Sequence, residues 1–129
     1  MRVSDRYYNR IIRDSKTSDK KQHFRIGDTY ITAADILRMQ NEQQNRCAYC
    51  GIFLNWLERR RNRDGLTVER LDTSRPHEVD NCCLVCKRCN SKRMTPEKKI
   101  LTKYFYRWYR ATFDFPSYVE TNRVCSFLS

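Results

Sequence analysis

No apolar run in this chain is long enough to span a bilayer. The N-terminal Met-Arg-Val-Ser-Asp-Arg-Tyr-Tyr holds no apolar stretch of the secretory type, so export is not expected. Internal repeats are absent. Apolar side chains are too few for a large core: 40% of the 129 residues are hydrophobic and 32% are charged. A chain of this length is a single domain by size, and a small domain with a modest core gains from a staple such as a metal ion. Histidine is scarce, with two in the whole chain, which leaves few candidates for imidazole chemistry.

Cysteine, by contrast, is plentiful, with seven residues. A disulfide framework expects a secretory signal, an even count and dispersed spacing, and none of these holds. Four of the seven form two Cys-x-x-Cys pairs, Cys47–Cys50 and Cys86–Cys89, with 35 residues between them. Two such pairs can close a tetrahedral thiolate cage around one Zn²⁺. Thiols kept for a metal imply a reducing intracellular compartment, cytoplasm or nucleus. Cys82, Cys83 and Cys125 are expected as small buried hydrophobes, with Cys82 or Cys83 as a substitute ligand the minor alternative.

Charge sets the second bound. A net charge of +11 on a small domain points to a polyanionic partner. Residues 1–46 hold ten basic and six acidic side chains, residues 47–85 six of each, and residues 86–110 nine basic against one acidic. A merely solvated face mixes signs, and this one hardly does. With no clean amphipathic apolar face beside it, the basic stretch is expected to meet nucleic acid rather than membrane.

Coarse patterns place these residues on elements. Residues 2–14 read as a short helix with Tyr7, Tyr8, Ile11 and Ile12 on its apolar side, and Ser15–Arg25 as a polar loop. Residues 26–31 read as a turn and a short extended piece. Thr32 and Asp35 form a capping-box pattern ahead of a helix over 33–44. Residues 52–57 suggest a strand, 66–71 a second and 82–85 a third, with a helix over 87–93. Thr95-Pro96 starts a further helix to about Thr112, in which Phe105, Trp108 and Tyr109 are expected in the core.

Between and after the cysteine pairs the chain reads Leu66-Thr67-Val68-Glu69-Arg70-Leu71-Asp72, then Asn81-x-x-Leu84-Val85-Cys86-x-x-Cys89-Asn90-x-Lys92. With Cys47-x-x-Cys50 ahead of it, this string resembles the HNH endonucleases with a ββα-metal core. It is most similar to the phage and large-DNA-virus branch, where the first motif reads Asp-Arg-Ile-Asp. Gln43-Gln44-Asn45-Arg46 before the first pair and Met94-Thr95-Pro96-Glu97 after the core fit the same pattern, so the resemblance covers residues 30–105.

The resemblance implies an α+β fold: a small zinc-stapled ββα-metal core over 47–93, flanked by an N-terminal helical basic extension over 1–46 and a C-terminal helix and tail over 94–129. It implies a metal-dependent DNA endonuclease in which Glu69 and Asn90 hold a catalytic Mg²⁺ or Mn²⁺ through hard oxygen donors. The Zn²⁺ of the cysteine cage is then structural, and Asn81 pins its loop through hydrogen bonds to the backbone. Arg59, Arg60, Arg61, Arg63, Lys87, Arg88, Lys92 and Arg93 are the expected phosphate contacts, giving binding that weakens steeply with salt. One site suffices for a nick, whereas a double-strand cut favours a homodimer.

The pattern departs from the family in three places: Glu69 stands for the commoner Asp, Pro76-His77 stands where the viral branch often has Gly-Tyr, and the third bears on the base. The family's general base is a His following the acidic residue, and here that residue is Arg70. A guanidinium stays charged and takes no proton from water, although it can bind phosphate or stabilise developing charge. Four readings stay open: His77 as the base, Asp72 as base or ligand, attack by water without a protein base, or loss of cleavage altogether. The last makes the chain a catalytically silent, zinc-stapled nucleic-acid-binding module.

Overall fold

The computed structural model describes residues 3–55, 64–91 and 95–112. Along the chain come helix α1 (Val3–Lys21), helix α2 (Ala33–Glu42), strand β1 (Leu66–Arg70), a 3₁₀ turn (Val79–Asn81), strand β2 (Cys82–Cys86), the short helix α3 (Lys87–Asn90) and helix α4 (Pro96–Thr112). The class is α+β, with one two-stranded antiparallel sheet among the described residues.

Local chemistry starts the helices. Thr32 Oγ1 accepts Asp35 N at 3.2 Å and Asp35 Oδ2 accepts Thr32 N at 2.9 Å, which closes the capping box at the head of α2. Thr95 Oγ1 accepts Lys98 N at 3.3 Å, and Pro96 occupies the first helical position of α4, where its missing N–H is no loss.

The sheet is held from both edges. Its register sets Val68 opposite Leu84 and Glu69 opposite Cys83. Period-two alternation therefore puts Leu66, Val68, Cys82, Leu84 and Cys86 on one face, and Thr67, Glu69, Cys83 and Val85 on the other. On the edge of β2, the buried Gln43 accepts Leu84 N at 3.0 Å and donates to Leu84 O at 2.9 Å and Arg46 O at 2.8 Å. On the edge of β1, Tyr7 of α1 donates to Leu66 O at 3.0 Å. Both edges of a strand pair too small to stand alone are thus covered from the helical side of the fold. Tyr8, Ile31, Ile36, Met39, Leu66, Leu84 and Tyr106 join in one buried cluster.

Several expectations are corrected. The polar stretch after residue 14 continues α1 to Lys21 instead of forming a loop. Ser15 and Thr17 satisfy their hydroxyls on Ile11 O and Arg13 O, one turn back, so their polarity does not break the helix. In α4, Trp108 is 57% exposed, while Tyr106 (2%) and Tyr109 (8%) point inward beside the half-buried Phe105. Tyr106 donates to Gln43 Oε1 at 3.4 Å. Helix α2 stops at Glu42, with Gln44 and Asn45 at positive φ, and residues 52–55 make only isolated bridges. Helix α3 ends at Asn90, with the extended Ser91 as its C-cap.

Gln43→Ala removes the acceptor of the buried Leu84 N. The expected loss is about 1–3 kcal/mol of unfolding free energy, read by denaturant titration at saturating Zn²⁺.

Candidate functional site

Two turns converge at one end of the sheet. At the first, Cys47 Sγ accepts Tyr49 N at 3.3 Å and Cys50 N at 3.5 Å, and Gly51 returns its N–H to Cys47 O at 2.9 Å with φ of 79°. That positive φ is open to glycine without steric strain. At the second, β2 ends on Cys86, whose Sγ accepts Cys89 N at 3.4 Å as α3 opens. The four Sγ atoms lie within 4.8 Å of one another, close enough to bind a metal such as zinc. Cys50 Sγ and Cys86 Sγ are 3.8 Å apart, matching the edge of about 3.8 Å that a tetrahedron with Zn–S near 2.3 Å requires. Hydrogen bonding with Cys47 holds both the Cys50 and the Cys86 thiols below the ordinary range. Cys82 and Cys83 are fully buried and stand outside the cluster.

The loop from β1 to β2 is pinned by two side chains. Asn81, fully buried, accepts Asp72 N at 2.9 Å and donates to Asp72 O at 2.9 Å and Pro76 O at 3.0 Å. Arg70 donates to Thr73 O and Arg75 O, both at 3.2 Å, and to Gln22 Oε1 at 3.3 Å, with its guanidinium 5.7 Å from the Phe24 ring centre. The cation at the position where the resemblance expects a His therefore serves the loop. Asp72 turns its carboxylate to Ser74, accepting N at 2.9 Å and Oγ at 2.6 Å, and these bonds lower its pKa. It lines no part of the cavity described next.

That loop delivers His77 to a cavity of about 350 Å³ between α1 and β1. Glu69, Thr67 and Arg70 of β1, Asn90 of α3, and Asp14, Ser15 and Ser18 of α1 share its wall with His77. The His77 ring is tied down: Nδ1 lies 2.8 Å from Asp19 Oδ2, which also accepts His77 N at 2.9 Å and Tyr30 Oη–H at 2.7 Å. The second oxygen of Asp19 faces Arg70 at 3.8 Å. Burial alone would raise the Asp19 carboxyl; the hydrogen bonds from His77 N, Tyr30 and the His77 ring overcome it and hold the group low. The Tyr30 phenol is pushed up by burial and by donation to that carboxylate. The extended segment ahead of α2 adds a further tie, with Ile31 N donating to His77 O at 3.0 Å.

Glu69 and Asn90 share the cavity, with different partners. Asn90 commits its amide N–H to Thr67 Oγ1 at 3.1 Å, and its side-chain carbonyl oxygen accepts no bond among the described residues. Glu69 faces Lys99 at 3.8 Å and Lys103 at 4.0 Å, both from α4, and Lys99 also donates to the main-chain oxygen of Asn90 at 3.3 Å. Of the expected phosphate contacts, Lys87 and Arg88 are exposed on α3, whereas Arg59, Arg60, Arg61, Arg63, Lys92 and Arg93 lie outside the described residues, as does Cys125. Sequence reasoning missed Asp19 and the two lysines. Asp19 is 58 residues from His77 and carries no local motif. Lys99 and Lys103 counted only as net charge.

No family model matches this chain, and neither a curated protein nor a solved structure does. No described helix is long and apolar enough to cross a membrane.

Protein prepared with Zn²⁺ is expected to carry one zinc per chain by native mass spectrometry, and a chelator to unfold it. Structural zinc contributes about 10–16 kcal/mol in small zinc peptides, as much as the whole stability of a small domain. Retention of the folded spectrum after complete metal removal is the contrary result.

Proposed function

We propose that the chain is a metal-dependent DNA endonuclease of the HNH type, stapled by a four-cysteine Zn²⁺ site that takes no part in cleavage. One observation carries the proposal: beside the cysteine cluster, the β1–β2–α3 unit gathers Glu69, Asn90 and His77 on a single cavity. The donor set suits a hard ion, since Glu69 offers a carboxylate and Asn90 a side-chain carbonyl oxygen. When bound there, Mg²⁺ or Mn²⁺ supplies charge stabilisation at the scissile phosphate and the departing oxygen.

The chain's own groups do the remainder. With Nδ1 committed to Asp19, His77 keeps Nε2 for chemistry. That nitrogen takes a proton from the attacking water, whose oxygen bonds to phosphorus as the bond to the departing sugar oxygen breaks. The departing oxygen leaves with a proton from solvent. Arg70 holds the loop that carries His77, and Asn81 does the same from its far end. Lys87 and Arg88 are exposed, and their charge suits them to meet backbone phosphates.

The silent binding module is the second reading, favoured by the two ammonium groups already neutralising Glu69. A plasmid-nicking assay with Mg²⁺ or Mn²⁺ decides between the readings. The wild type is expected to cleave. His77→Ala is expected to lose about 10²- to 10⁴-fold in rate, and Glu69→Ala and Asn90→Ala to lose cleavage while keeping DNA affinity. DNA binding without cleavage under either ion sinks the enzyme.

The lysine pair has a measurable consequence, because a dication at Glu69 must displace both ammonium groups. Lys99→Ala/Lys103→Ala is therefore expected to tighten Mn²⁺ binding to the DNA-free protein by about three- to tenfold, read by electron paramagnetic resonance. Unchanged or weaker Mn²⁺ binding removes Glu69 as the ion's ligand.

A further inference from the structure

We propose that Asp19 of α1 is the positioning residue for His77, so that the N-terminal helix is a working part of the catalytic site. The inference rests on the endonuclease reading and adds a residue that the HNH-like core does not contain.

Asp19 stands in an unfavourable place. It is fully buried, and it lies in the last turn of α1, where the negative end of the helix dipole disfavours a carboxylate. Its contacts offset that penalty in one direction. A single oxygen, Oδ2, takes the His77 ring at Nδ1, the His77 backbone N–H and the Tyr30 hydroxyl within 2.7–2.9 Å. An ionised carboxylate accepts and does not donate. Nδ1 must then carry the proton, and Nε2 of the neutral ring is the bare nitrogen. A general base needs that tautomer, and the carboxylate behind it stabilises the imidazolium that forms when the proton arrives. Ring and backbone of one residue held by one carboxylate also fix its rotation, since the imidazole cannot turn without breaking the bond to Asp19.

A purely structural role for Asp19, tying α1 to the loop, makes different predictions. The test combines kinetics with a measurement that needs no activity. In the nicking assay, Asp19→Asn is expected to lower kcat by about 10²- to 10⁴-fold with KM and zinc content unchanged. In a His77→Ala background the same substitution is expected to produce no further loss, because Asp19 acts through the imidazole. Independently, ¹⁵N spectra of the wild-type protein, simplified by its two histidines, are expected to show neutral His77 protonated at Nδ1. The Nε2–H tautomer in the wild type overturns the proposal, whatever the activity. So does an Asp19→Asn variant that cleaves within about twofold of wild type, or one that loses as much without His77 as with it. If the wild type cleaves no DNA, the endonuclease reading fails, and the tautomer alone then upholds or overturns the orientation by Asp19.

Discussion

Four thiols brought within 4.8 Å of one another, three of them buried, are the constraint on which the other parts depend. Thiolates at such spacing repel one another unless a cation stands between them. The consequences run outward through hydrogen bonds. Ala48 N donates to Leu84 O at 2.9 Å, which locks the first turn onto the middle of β2. β2 fixes β1 by register, and so fixes Glu69. Cys86 ends β2 and caps α3, and so fixes Asn90 four residues on. Glu69 and Asn90 are therefore located by a cysteine cluster that they do not join, and in the endonuclease reading a rigid frame of this kind is what a metal-assisted reaction would need from its protein.

Where the chemistry was local, it was legible. The capping box at Thr32 and Asp35, the Thr95-Pro96 helix start and the cysteine spacing each carry their own signal within a few residues, and each has its expected partners. What depended on distant contacts was not legible. The polar run after residue 14 reads as loop by composition, yet its hydroxyls turn back on the helix and its buried Asp19 faces the loop of His77. Nothing in the aromatic run of α4 distinguishes Tyr106 from Trp108, because the inward face meets partners from distant elements, Gln43 at the end of another helix among them. Gln43 itself fitted a pattern by position, but its work in closing the edge of β2 emerges only in three dimensions.

Arg70 changes meaning once its partners are known. At a strand position where a base is expected, a permanently charged side chain reads as a lost activity. Its guanidinium, however, binds two carbonyls of the loop that leads to His77 and faces the carboxylate that holds the His77 ring. In the endonuclease reading, a general base can stand on a strand or on a loop, since the chemistry does not specify which backbone element supplies it. A loop can do so only if it is as stiff as a strand. Asn81 and Arg70 together bond backbone groups of Asp72, Thr73, Arg75 and Pro76, ahead of His77. Ile31 and Asp19 hold His77 itself by its carbonyl and its N–H. Arg70 is thus one of the side chains that stiffen the loop carrying His77.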